Sequence, residues 1–378
     1  MPNKIEMPLS INLFYANVHS AMIDINILES VTRSIFPKVE KITLERLLGD
    51  ASNRTYYRAT FATHPKSFIL MALSDPEPFK ASEEAVSGTV SPINELPFVN
   101  VGRHLSACQI AVPEIFHYDH EKGWLLLQDL GDQMLSDVVS KHPLDQTPVL
   151  EIYQKAIDTL IQMQRFATVV NTVPTIAHLR AFDQPLFVWE FDHFIEYGIE
   201  KRNGIVIPEK ERQMIRAYFS DIALRLASLP EVFVHRDYHS RNLMVCGEGS
   251  AATIHLIDFQ DALMGPCQYD LASLLRDSYI DLPEQVVDSL IAYYIAKWND
   301  QMGEVIHADS FRAFFDLISI QRNLKAAGRF VFIDQVKNNP KFIPYVPPTL
   351  AKVKKNLEKH KRLKPLQDLL ATYVKELQ

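Results

Sequence analysis

The sequence predicts an α+β fold made of a small β-rich N-terminal lobe and a larger helical C-terminal lobe. Three observations carry this. Between residues 42 and 127 short apolar runs alternate with turn residues: Ile42–Leu48, Tyr56–Phe61, Ser67–Ala72, Ile115–Tyr118 and Trp124–Leu127. From residue 132 onward, apolar positions recur at helical spacing almost to the end of the chain. Residues 232–261, VFVHRDYHSRNLMVCGEGSAATIHLIDFQD, interrupt that helical part with a loop followed by a hairpin. The division that follows is an extension at 1–26, an N-terminal lobe at 27–127, a link at 128–131 and a helical lobe at 132–378.

Residues 1–26 carry no functional signal. From Asn26 to Phe36, Ile27, Leu28, Val31 and Ile35 fall at helical spacing and Pro37 stops the helix. The first two strands are joined by a small, polar turn, Gly49-Asp50-Ala51-Ser52-Asn53-Arg54. The third strand is apolar throughout, with Lys66 at its beginning. Residues 75–94, rich in Pro, Ser and charge, read as a loop, and a helix follows from about Glu95 to Ser106. A hairpin then leads into Gln128-Asp129-Leu130-Gly131, where Asp129 either belongs to the link or caps the next helix.

In the helical part, Pro148–Ala167 places Leu150, Tyr153, Ile157, Leu160, Ile161 and Gln164 along one face, which marks a core helix. The aromatic run Phe187–Tyr197 reads as packing, and Glu209–Ser228 as an amphipathic helix. Asp270 precedes an apolar run, so it either caps a helix or, buried, braces the loop at 235–242. Arg276 and Asp277 lie two helical turns beyond it. Gln321 and Lys325 share a helix face by i to i+4 spacing. The basic tail, Lys352–Lys364, reads as a solvated helix face.

The loop and hairpin carry the chemistry. Asp237 and Asn242 sit five residues apart, and Asp258 emerges from the returning strand. Phosphoryl transfer to a hydroxyl needs a carboxylate to orient and accept the proton, and oxygen ligands to hold magnesium on a triphosphate. Asp237 fits the base, Asn242 and Asp258 the metal ligands, and one carboxylate with one amide suffices because Mg²⁺ keeps several waters. His235 is assigned support of the loop backbone, while His239 reads as a solvated or loop-packing residue. The spacing resembles the catalytic loop and metal strand of protein-kinase-like enzymes. Asp258-Phe259-Gln260 stands where those have Asp-Phe-Gly, so no loop flip dependent on that glycine is expected. On the same pattern, residues 49–54 would cover nucleotide phosphates with backbone N–H groups, and the backbone of Gln128 to Leu130 would bond an adenine edge. The third strand lacks the lysine usual there, which leaves Arg54, Arg58, Lys80 or magnesium to meet the phosphate charge.

Composition narrows the class. Hydrophobic residues at 47% and charged residues at 22% are ordinary for a globular chain of 378 residues. Against 46 acidic residues stand 39 basic ones, a net charge of −7 that argues against a nucleic-acid partner. Cys108, Cys246 and Cys267 are widely spaced with no CxxC pair, which suits a reducing compartment. No clean secretory h-region or long apolar run occurs, so a cytoplasmic protein without a membrane partner is expected. Oligomeric state is left open.

The ordered set GDASNRTYYR (49–58), LLLQDLGD (125–132), HRDYHSRNLM (235–244), LIDFQDA (256–262), YDLASLLRD (269–277) and QRNLKAAGRF (321–330) resembles the aminoglycoside-phosphotransferase-like kinases. Within them it is most similar to the anomeric kinases of N-acetylmuramate and N-acetylglucosamine in cell-wall (peptidoglycan) recycling. The resemblance spans roughly residue 27 to the C-terminus and implies a protein-kinase-like two-lobed fold, ATP and Mg²⁺ as cofactors, and an amino-sugar acceptor phosphorylated at C1. It implies Asp237 as base, Asn242 and Asp258 as metal ligands and 49–54 as the phosphate-covering loop. Acceptor contacts are expected from Arg241, Asp261, Arg276, Gln321 and Arg322. The lactyl carboxylate of N-acetylmuramate suits a guanidinium, whereas a polycationic aminoglycoside needs carboxylates. Rival readings are an aminoglycoside, choline or thiamine-like acceptor, or a pseudokinase that binds without turnover. A protein kinase is disfavoured, since no Ala-Pro-Glu follows Asp258.

Overall fold

A computed structural model describes residues 25–37, 41–47, 54–62, 66–73, 93, 95–169, 173–303 and 305–378. The turn residues Gly49–Asn53, Lys80, most of 75–94 and all of 1–24 lie outside the described residues. The chain divides into two compact units, Met1–Glu77 with Ile115–Asp129, and Pro78–Glu114 with Leu130–Gln378.

The first unit holds α1 (Ile25–Ile35) and an antiparallel sheet of β1 (Ile42–Leu47), β2 (Arg54–Phe61), β3 (Phe68–Leu73), β4 (Ile115–Asp119) and β5 (Trp124–Gln128), in the order β1-β2-β3-β5-β4. Alternation along the strands sends Ala59, Phe61, Phe68, Leu70, Trp124 and Leu126 to one core with Leu28 of α1. Phe36, Phe68 and Phe116 close it with ring centroids 4.6–5.4 Å apart. The apolar interior of β3 is thus core, with no lysine in it.

The second unit includes α2 (Pro97–Ala107), which the sequence grouped with the strands. Its buried face explains the difference: Phe98 stacks on Phe259 at 4.8 Å, and both ring nitrogens of His104 meet carbonyls, of Val173 and Ala167, at 2.9 Å. The helices that follow are α3 (Leu135–Val139), α4 (Thr147–Phe166), α5 (Gln184–His193), α6 (Glu209–Ala227), α7 (Gln268–Leu275), α8 (Glu284–Met302), α9 (Ala308–Lys337), α10 (Val346–Lys359) and α11 (Lys364–Ala371). Two strand pairs interrupt them. β7 (Leu243–Cys246) and β8 (Thr253–Leu256) form the expected hairpin, with Gly247 at φ +84° in its turn. β6 (Glu231–Val234) pairs with β9 (Leu263–Pro266), a strand that sequence pattern did not reveal because Gly265 and Pro266 mask it.

The 30-residue α9 runs uninterrupted because no proline falls between Ala308 and Lys337, and it ends at Asn338 in the left-handed region. Gly328 lets it press against the π-helical stretch Phe194–Lys201 that continues α5. A β-carbon there would lie 3.0 Å from the Phe194 Cα and 3.2 Å from the His193 carbonyl oxygen, backbone atoms that cannot swing aside. Helix propensity favours alanine over glycine by about 1 kcal/mol, but forced overpacking costs about 1–3 kcal/mol. Gly328→Ala is therefore expected to lower the urea midpoint, and a raised midpoint would contradict this packing.

Candidate active site

Strand β6 delivers the chain into the loop His235–Asn242, whose backbone bends sharply; Arg236 sits at φ +79°, uncommon for a residue with a long side chain. The bend leaves N–H groups pointing inward, and two carboxylates from α7 and its C-terminal end take them. Asp270 accepts from the N–H of His235 at 2.7 Å and of Arg236 at 3.0 Å. Asp277, two residues past the end of α7, accepts from the N–H of Ser240 at 3.0 Å and of Tyr279 at 2.9 Å. Asp270 does not cap the helix: α7 already begins at Gln268, so its carboxylate faces the loop. Burial pushes the Asp270 carboxyl up to about 7, against the lowering effect of the two N–H groups. His235 is fully buried, and burial pulls its imidazole down to about 4. It is therefore neutral, and its Nε2–H donates to the Ile257 carbonyl at 3.0 Å, tying the loop to the end of the hairpin.

Asp237, Asn242 and Asp258 are gathered by that stitching. The Asn242 amide Nδ2 donates to the Asp237 carbonyl at 3.0 Å, leaving its oxygen for another partner. The Ile257 N–H donates to the Asn242 carbonyl at 3.1 Å, so Asp258 leaves the hairpin beside Asn242. Asp258 holds φ +61°, and Gln260 donates to it at 2.9 Å and to Asp261 at 3.3 Å. The glutamine thus bolts Asp258 where a glycine would leave it free. Among the described residues no three His, Cys, Asp or Glu side chains form a metal cage. One amide oxygen and one carboxylate do suit magnesium, a hard cation that takes its remaining ligands from water and phosphate.

Asp237 opens onto a cavity of about 180 Å³ within the second unit. Burial would raise its carboxyl, but the charges of Lys325, His239, Arg322 and Arg236 outweigh this and hold it well below the usual carboxylate range. One face of α9 forms a wall, with Arg322, Lys325, Ala326, Arg329, Phe330 and Ile333 spaced at three and four residues. Trp189, His193, His239, Tyr279 and Phe342 complete much of the rest, with Arg236, Asp261 and Asp277. Arg322 stands 4.0 Å from the Asp237 carboxylate. Buried Glu190 anchors the other side, binding Arg236 at 3.0 Å, Gln321 at 2.7 Å and Lys325 at 3.4 Å.

The residues expected at the acceptor divide. Arg322 and Asp261 line the cavity; Arg241, Arg276 and Gln321 do not. Arg241 lies over the Tyr279 ring at 3.8 Å and bonds the Tyr345 hydroxyl at 2.6 Å, so it supports the wall from behind. Arg276 pairs with Glu284 at 2.8 Å, and Gln321 is spent on Glu190. In the first unit, Arg58 and Ser67 bind Asp129 at 2.7 and 2.6 Å, so Asp129 caps no helix. Lys352 is buried rather than solvated, donating to the carbonyls of Asp277 and Ile280. The aromatic run Phe187–Tyr197 splits: Phe187, Phe191 and Phe194 pack in the core, while Trp189 and His193 reach the cavity. Sequence reasoning missed Glu190, Arg236 and Arg329, although Arg236 stands inside the loop and Arg329 inside QRNLKAAGRF.

The sequence profile of the phosphotransferase enzyme family matches residues 43–303, and the chain belongs to that family. It is similar to the N-acetylmuramate/N-acetylglucosamine kinase of Pseudomonas aeruginosa, 33% identical over 327 residues that cover 86% of each chain. The protein of the same name from Pseudomonas putida is 31% identical over 331 residues, 85% of this chain and 86% of the relative. Among solved structures, choline kinase from Cryptosporidium parvum superposes with a TM-score of 0.58 at 12% identity, covering 92% of this chain and 98% of that one. The fold is that of the protein-kinase-like phosphotransferases. No helix among the described residues is long and apolar enough to cross a membrane.

Asp270→Asn keeps the shape but offers one acceptor oxygen to two N–H groups. An unsatisfied buried donor costs about 1–3 kcal/mol, so kcat is expected to fall about tenfold or more. The stability effect depends on pH. The folded carboxyl binds its proton more tightly than the unfolded one, so its contribution is full below about 3.8 and is lost as pH rises through about 7. The wild-type advantage in urea midpoint should therefore shrink across that window, and an advantage that grows with pH would contradict the assignment.

Proposed function

We propose that this chain is an ATP-dependent kinase of N-acetyl amino sugars, with the anomeric hydroxyl of N-acetylmuramate or N-acetylglucosamine as acceptor. The observation that carries this is an ionised Asp237 carboxylate at the mouth of a cavity lined by arginine, lysine and aromatic rings. The names of the relatives support the sugar. The cationic lining opposes choline or a polycationic aminoglycoside, whose ammonium groups would meet Arg236, Arg322, Lys325 and Arg329.

Asp237 orients the acceptor hydroxyl for in-line attack on the γ-phosphorus and takes its proton as the new P–O bond forms and the bond to the ADP oxygen breaks. A carboxylate held below its usual range is a weak base. It suits a hemiacetal hydroxyl, which is more acidic than an ordinary alcohol, and a transition state in which the proton leaves late. Lys325, His239, Arg322 and Arg236 together keep Asp237 ionised. Magnesium, held by Asn242 and Asp258, would supply positive charge to the phosphates. The nucleotide side falls to Gly49–Arg54 and to the backbone of Gln128 to Leu130. A non-catalytic binding module is the weaker reading, because Asp237, Asn242 and Asp258 are all present.

Asp237→Asn should lower kcat by about 10²- to 10⁴-fold, the range for a lost general base, with the sugar KM changed much less. A coupled assay of ADP release over a panel of both N-acetyl sugars, choline and an aminoglycoside checks this. Turnover of choline or the aminoglycoside but of neither sugar would remove the acceptor assignment, and equal rates in wild type and variant would remove the base.

A further inference from the structure

Four cations line the cavity, and three are engaged: Arg236 and Lys325 with Glu190, and Arg322 with Asp237. Arg329 differs. Its guanidinium lies 4.7 Å from the Phe332 ring centroid and makes no hydrogen bond or ion pair with any described residue. It is half-buried in the cavity wall. Stacking on an aromatic face fixes the plane of a guanidinium while leaving its N–H edge available, the geometry that suits a carboxylate fork.

From the acceptor site proposed at Asp237, we infer that Arg329 binds the carboxylate of an acidic acceptor and sets the preference for an N-acetyl sugar carrying a lactyl ether over the same sugar without one. Arg329 lies seven residues beyond Arg322 on the same face of α9, a rise of about 10 Å. Arg322 marks the reacting end by its contact with Asp237, so Arg329 stands one sugar ring and its side arm away. Phe330 and Phe342, stacked at 5.6 Å, add apolar surface in the same wall for the methyl groups of such a substrate. The other arginines that could meet a carboxylate, Arg241 and Arg276, are committed to Tyr345 and Glu284.

The test compares the kcat/KM ratio of N-acetylmuramate to N-acetylglucosamine in wild type, Arg329→Gln and Arg329→Lys, with calorimetric titration of each sugar onto each protein. Loss of a charge-assisted bidentate contact should reduce the ratio about tenfold or more in Arg329→Gln, mainly through KM for N-acetylmuramate. Arg329→Lys, which keeps the charge and loses the fork, should fall between. A ratio within twofold of wild type overturns the inference, as does an equal loss on both sugars, which would mark a structural role. The calorimetry separates the two levels of the reading. Wild type that phosphorylates neither sugar but binds N-acetylmuramate more tightly through Arg329 would uphold this contact while removing the proposed reaction. Turnover of both sugars with Arg329-independent binding would do the reverse.

Discussion

The inward-facing N–H groups of residues 235–240 and the two α7-side carboxylates that receive them are the constraint on which the site rests. A chain bent through a positive φ at Arg236 would unbend if its amides had water as an alternative partner. Burial removes that alternative, and Asp270 within α7 and Asp277 just past its end supply fixed acceptors. The rest of the site follows from this. With His235 and Ser240 pinned, Asp237 between them lines the cavity, and the Asn242 carbonyl meets the end of the hairpin. The carboxylates are held in turn. Lys352 and Asn323 bind the carbonyls of Asp277 and Arg276, so α9 and α10 fix the C-terminal end of α7 from outside.

Electrostatics divides labour among carboxylates that look alike in sequence. Asp270, fully buried among N–H groups, is pushed toward neutrality and serves structure. Asp237, half-exposed and ringed by cations, stays ionised, as the proposed base requires. Glu190 is as buried as Asp270, yet the charges of Lys325 and Arg236 and bonds from Gln321 and Arg236 hold its carboxyl below the usual range despite the cost of burial. It thus positions two cations in the cavity wall.

Much of the fold was legible because strand and helix periods differ, and because Pro37, Gly247 and the apolar interior of β3 punctuate as they should. The loop and hairpin that carry Asp237, Asn242 and Asp258 were legible because their pattern is local in the chain. What stayed hidden depends on tertiary partners. No sequence pattern distinguishes Arg276, spent on Glu284, from Arg329, stacked on Phe332, since both lie in helical or near-helical runs and their partners are distant or on the far side of a turn. Trp189 and His193 were absorbed into an aromatic stripe in which Phe187, Phe191 and Phe194 are core. Lys352 was read as solvated because its composition, and not its direction, was visible. β9 was invisible because a four-residue strand holding Gly265 and Pro266 has no periodic signature.

A cavity that presents the anomeric hydroxyl of an N-acetyl amino sugar to Asp237 yields a sugar 1-phosphate. Heteronuclear ³¹P–¹H correlation of the product formed from ATP and N-acetylglucosamine should therefore show phosphorus coupled to the anomeric proton. Coupling to the C6 methylene protons, or to any other ring position, would contradict the proposed acceptor.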